Sequence, residues 1–63
     1  MNGFHALENA ARYLETVIES GMDIDYGKIS GIVGYPAALF QRVFPFVAGM
    51  SIADYVRLRR LYL

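Results

Sequence analysis

Gly34 and Pro36 stand two residues apart near the middle of the chain, and they constrain its fold more than any other feature. Glycine takes the left-handed backbone that ends a helix, and proline suits the start of the next one. On both sides of this break, apolar residues recur at helical spacing. Upstream, Ile29, Ile32 and Val33 give one side of a short segment over 26–33. Downstream, Phe40, Val43, Phe44 and Val47 fall at i, i+3, i+4 and i+7, one stripe of a 3.6-residue helix. Ala38, Gln41, Arg42 and Pro45 repeat that spacing on the opposite side. Two short helices joined by a glycine-containing turn make a helix-turn-helix, and the same spacing also fits an ordinary αα corner.

The flanking residues extend the helical pattern. Over 3–20, Phe4, Leu7, Ala11, Leu14 and Ile18 step by three or four, with Ala10 and Val17 widening the stripe. Ser20-Gly21 stops that helix, and Asp25 is placed to cap the next. Ile24 is expected to drop into the core between them. Gly27 and Gly31 each cost the second helix roughly 1 kcal/mol of propensity, so packing must hold it. Pro45 lacks an N–H and disfavours helical geometry at Phe44, which predicts that the third helix ends or kinks there and covers 37–44. Ser51 and Asp54 have capping-box spacing at the head of a last helix over 52–63. Leu58, Leu61 and Tyr62 carry its apolar stripe further round than one small core can cover, and no stop signal follows Leu61. The expectation is an all-α, four-helix domain over 1–63 with its last helix truncated.

Composition narrows the chemistry. There is no cysteine, one histidine (His5) and only scattered carboxylates, so no disulfide, metal site or cofactor is expected. No nucleophile–base pair or phosphate loop is present, which argues against an enzyme. The uncharged runs 29–41 and 43–53 are too short and too broken by Gly and Pro to span a bilayer, and no secretory leader opens the chain. A cytoplasmic protein with no membrane partner is expected. Net charge is zero but unevenly spread. Residues 1–25 carry five carboxylates against Arg12, and residues 26–63 carry five basic side chains against Asp54. The basic half holds the helix with the Gln41-Arg42 face, the charge layout of a nucleic-acid binder.

Several short strings then occur in one order at one spacing: Ile24-Asp25-Tyr26, Gly34-Tyr35, Phe40-Gln41-Arg42-Val43-Phe44, Ala48-Gly49-Met50-Ser51, and Tyr55-Val56-Arg57-Leu58-Arg59-Arg60-Leu61. Together they resemble the first half of the DNA-binding domain of the AraC/XylS family of bacterial transcription regulators. That resemblance implies a homeodomain-like helix-turn-helix followed by the start of a linker helix, with the family's second helix-turn-helix absent. Phe44-Pro45-Phe46-Val47-Ala48-Gly49 is similar to the subgroup in which a GyrI-like effector domain follows, so any effector would bind outside these residues. Gln41 and Arg42 match the family's base-reading pair. A Gln amide can bond N6 and N7 of adenine, and Arg can fork onto O6 and N7 of guanine. Ala37 and Ala38 would offer only methyl contacts, Pro36 replaces the usual Ser cap, and Leu39 replaces a more polar residue. Lys28, Tyr35, Arg57 and Arg60 are the candidates for backbone phosphates, which position without specifying. The implied partner is double-stranded DNA. The alternative from another class is a protein-interaction module, a homo-oligomer through the apolar last helix, with DNA binding lost.

Overall fold

The computed structural model describes residues 3–63, with side chains from His5 onward, so the Phe4 side chain lies outside the described residues. The chain is all-α, with four helices in order: α1 (Gly3–Ser20), α2 (Tyr26–Val33), α3 (Ala37–Ala48) and α4 (Ile52–Arg60). α1 packs on α2 and α4, and α3 packs on the same two neighbours. The core therefore draws on every helix. α1 contributes Ala10, Leu14, Val17 and Ile18, and α2 contributes Ile29 and Val33. Phe40 comes from α3, and Ile52 and Val56 from α4. Among the described residues, no helix is long and apolar enough to cross a membrane.

Nameable groups satisfy both ends of α2 and the start of α4. The Asp25 carboxylate accepts from the N–H groups of Gly27 (3.0 Å) and Lys28 (3.3 Å), capping α2. The Tyr13 hydroxyl accepts from the Asp25 N–H at 2.8 Å, which ties that cap back to α1. Gly34 ends α2 with φ of 81°, and its N–H donates to the Ser30 carbonyl at 2.9 Å. Ser51 caps α4 by accepting from the Asp54 N–H at 3.1 Å. The Asp54 carboxylate does not complete the reciprocal box. It pairs with Arg57 one turn on, at 2.7 Å.

Three boundaries and faces differ from the sequence reading. α3 does not stop at Phe44: it runs through Pro45 to Ala48. A proline inside a helix removes one hydrogen bond, here to the Gln41 carbonyl, and crowds that carbonyl, at a cost of about 3 kcal/mol. Gln41 is exposed, so water can serve the freed carbonyl. Phe44 fixes the backbone just before the proline, with its ring 5.9 Å from Phe40 and edge-on to Tyr55 at 5.6 Å. Phe44 is partly buried, and covering part of such a ring contributes on the order of 1–2 kcal/mol, which offsets part of the proline penalty. After the proline, the Gly49 N–H donates to the Pro45 carbonyl at 2.8 Å and closes the helix.

The second difference is the core stripe. Phe40 is buried and Phe44 packs beside it, but Val43 and Val47 are exposed, as is Leu7 of α1. Periodicity marks a side of a helix as apolar without showing that anything covers it. α1 and α3 are separated by an open groove on that side, about 330 Å³ in volume, and these three side chains line it. Third, α4 is helical only to Arg60. The N–H groups of Leu61 and Tyr62 donate three residues back, to Leu58 and Arg59, at 3.1 Å each, so the helix ends in a tightened turn.

Two glycines give opposite expected outcomes. Gly31 lies within α2 with open space around an added Cβ, so Gly31→Ala should raise stability by up to about 1 kcal/mol. Gly34 needs its positive φ, so Gly34→Ala should lower stability by about 1–2 kcal/mol despite equally open space. Urea melts of both variants read the signs, and an unchanged midpoint for Gly34→Ala would refute the left-handed turn.

Candidate nucleic-acid interface

α3 is held from behind and open in front. Its rear is the ring series Tyr35–Phe40–Phe44–Tyr55, with successive centroids 6.5, 5.9 and 5.6 Å apart. Three of the sequence-predicted base-reading residues, Ala38, Gln41 and Arg42, are exposed. At about 100° per residue, Ala38, Gln41 and Arg42 span one contiguous sector of the helix, with Gln41 and Arg42 at its two borders. Ala37 is partly buried, because the chain is pinned there. Its N–H donates to the Ser30 hydroxyl of α2 at 2.7 Å.

That bond is a contact of the site that local sequence reading misses. Pro36 at the N-cap of α3 has no side chain able to cap, and Ser30, seven residues upstream of Ala37, supplies the missing acceptor. Capping rules search the residue at the helix start and cannot find a donor–acceptor pair made by folding two helices together. The consequence is geometric. The Ser30 bond fixes the first turn of α3 to the last turn of α2, so the front of α3 moves with the body of the domain.

The predicted phosphate-binding residues divide. Lys28 is exposed in the first turn of α2, next to the Asp25 cap. Tyr35 is partly buried in the turn, with its ring packed toward Phe40. Arg57 is exposed and pairs with exposed Asp54, an ion pair weak enough to exchange for another anion. Arg60 is different. Its Nη2 donates to the carbonyls of Val17 (2.7 Å) and Met22 (2.6 Å), and its Nε donates to that of Ile18 (3.4 Å). The carbonyls of Val17 and Ile18 belong to the final turn of α1, which carries partial negative charge. Arg60 thus serves as a cap for α1, and these bonds commit donors that the sequence reading offered to a phosphate.

Arg59, which the sequence reading left without a role, ties α4 to α1. Its two terminal nitrogens meet the two Glu15 oxygens at 2.7 and 3.0 Å. One of them also donates to the Tyr55 hydroxyl at 2.8 Å. The Glu15 hydrogen bond, and after it the Tyr55 hydroxyl, push the guanidinium pKa above its ordinary value. This fork is the strongest geometry available to an arginine and a carboxylate. It holds α4 while Tyr55 presses on Phe44, so it supports α3 at one remove.

No protein-family model, curated protein or solved structure matches the chain.

Removal of the inter-helix cap is a direct check on this geometry. Ser30→Ala should cost about 1 kcal/mol of stability, in the usual range for a lost cap. Amide exchange at Ala37 should accelerate by more than exchange at Phe40, since only the first turn of α3 loses its anchor. Equal acceleration at both positions would show that the hydroxyl does not set the α2–α3 geometry.

Proposed function

We propose that this chain is the DNA-reading unit of a transcription regulator of AraC/XylS type, with α3 entering the major groove. One observation carries the reading: Gln41 and Arg42 are both exposed, at the two borders of the open front of a helix whose other side is anchored by aromatic rings. The order and spacing of the motifs from Ile24 to Leu61 support it. Gln41 would read adenine and Arg42 guanine, with the Ala38 methyl against a thymine methyl. Lys28, Tyr35 and Arg57 would position the domain on phosphates, and Arg60 is left out because main-chain carbonyls occupy it. A cytoplasmic location and an effector bound by residues outside this stretch go with the same reading.

A second reading also has an observation of its own. Leu58, Leu61, Tyr62 and Leu63 are exposed at the end of the chain, an apolar end suited to a protein partner. It predicts association that depends on Leu61 and no enrichment of any duplex.

Selection from a pool of random duplexes at low salt decides between them. The DNA reading expects one enriched sequence. Arg42→Ala should cost about 1–3 kcal/mol on that sequence and relax the requirement at one base pair. Lys28→Ala should weaken enriched and scrambled duplexes alike and lower the salt slope by about one. Absence of any enriched sequence, with the wild-type domain shown to be folded, would refute the DNA reading.

A further inference from the structure

α3 has three unlike sectors, and only two are accounted for. The first is the rear, where Phe40 and Phe44 meet the core. The second is the front, with Ala38, Gln41 and Arg42. The third is wholly apolar: Leu39, Val43, Phe46 and Val47 fall at i, i+4, i+7 and i+8 and all face solvent. Phe46 is 90% exposed and Val47 82%, unusual values for such residues on a formed helix. Across the groove, Leu7 of α1 is exposed as well and extends the same patch.

Three features of this patch select its occupant. The first is area. Five exposed apolar side chains present on the order of 500 Å² together, near the top of the range for the largest patch on a monomer. That is about a tenth of the 4491 Å² surface of the chain, the share a small protein gives to a partner. The second is the charge at its two edges. Arg42 flanks Leu39 and Phe46 at i+3 and i−4, so a cation borders the α3 edge. Glu8 shares a stripe with Ala11 and Glu15 at i+3 and i+7, so an anion borders the α1 edge, and the exposed cation Arg12, at i+4 from Glu8, lies further from the groove round the helix. A patch with opposite charges on opposite edges is self-complementary under a two-fold axis running along the groove. The third is net charge, which is zero, so two copies meet without overall repulsion.

We infer that this patch is a homodimer surface, in which α1 of each copy covers the apolar sector of α3 of the other and Glu8 of each faces Arg42 of its partner. The inference does not rest on the DNA reading. The apolar sector lies on the side of α3 away from Gln41, and the dimer leaves Ala38 and Gln41 of both copies outward. The area is below the roughly 800 Å² per partner of a standard interface, so the dimer is weak, with dissociation in the micromolar range or above.

Sedimentation equilibrium without DNA, from about 1 µM to about 1 mM, covers that range. The wild type should pass from monomer to dimer. Phe46→Glu and Val47→Glu change side chains that contribute little to the monomer core, so helical circular dichroism should be preserved while the dissociation constant rises at least tenfold. Glu8→Arg or Arg42→Glu alone should also weaken the dimer, and the two together should restore it. A wild-type protein that stays monomeric throughout would overturn the inference. So would a dimer abolished by Leu61→Glu and indifferent to Phe46→Glu, since it would use the end of α4. A double charge exchange that fails to restore association would overturn the two-fold seating.

Discussion

The contact on which the remainder depends is Phe44 against Tyr55, edge to face at 5.6 Å. It is the aromatic link between α3 and α4, and it sits one residue before a proline that would otherwise end α3. The rings of Phe40 and Tyr35 continue the series back to the turn after α2. Aromatic side chains suit this duty because each covers a large area with only two rotatable bonds. α3 borders the core with only Phe40 fully buried, so these ring contacts hold it where a longer apolar stripe would in a larger domain.

Electrostatics show a second economy. Five basic side chains occupy the carboxyl-terminal part of the chain, and as a sequence they look like a reserve of positive charge for a polyanion. Folding commits three of them. Arg59 forks onto Glu15, Arg60 covers the carbonyls at the end of α1, and Arg57 pairs with Asp54. The two that reach across to α1 do so at its carboxyl-terminal half, where a cation also meets the negative end of the helix. Much of the charge separation along the sequence is therefore closed within the molecule, and Lys28 and Arg42 carry most of what faces outward. A DNA-binding surface built on this chain has to work through few contacts, which places weight on the fit of each.

The fold was largely legible because its signals are local. Asp25, Ser51 and the glycines at 21, 34 and 49 mark helix ends through short-range hydrogen bonds or backbone freedom, both properties of the residues themselves. The exposure of Gln41 and Arg42 also followed from spacing, since residues opposite an anchored stripe face away from it. What was not legible needed a partner distant in sequence. Pro45 was read by its own cost, and the ring of Tyr55 that offsets part of that cost lies ten positions on. Ser30 capping α3 and Arg60 capping α1 are contacts across seven and more than thirty-five positions. Val43, Val47 and Leu7 have the pattern of core residues, and only the packing of helices shows that they stay exposed among the described residues.

The three-sector character of α3 reconciles these observations. A helix on the surface of a small domain ordinarily divides into one buried side and one polar side. α3 departs from that division because its apolar residues cover more than half of the cylinder, while only the part holding Phe40 and Phe44 meets the core. A sequence with that much apolar surface gains nothing in monomer stability from Phe46 or Val47, and it risks non-specific association. An open groove beside these residues, with a cation on one border and an anion on the other, turns that risk into a specific geometry. Front and side of one short helix then face different directions, since Gln41 and Val47 point more than a right angle apart, and Arg42 on their shared border serves one partner at a time.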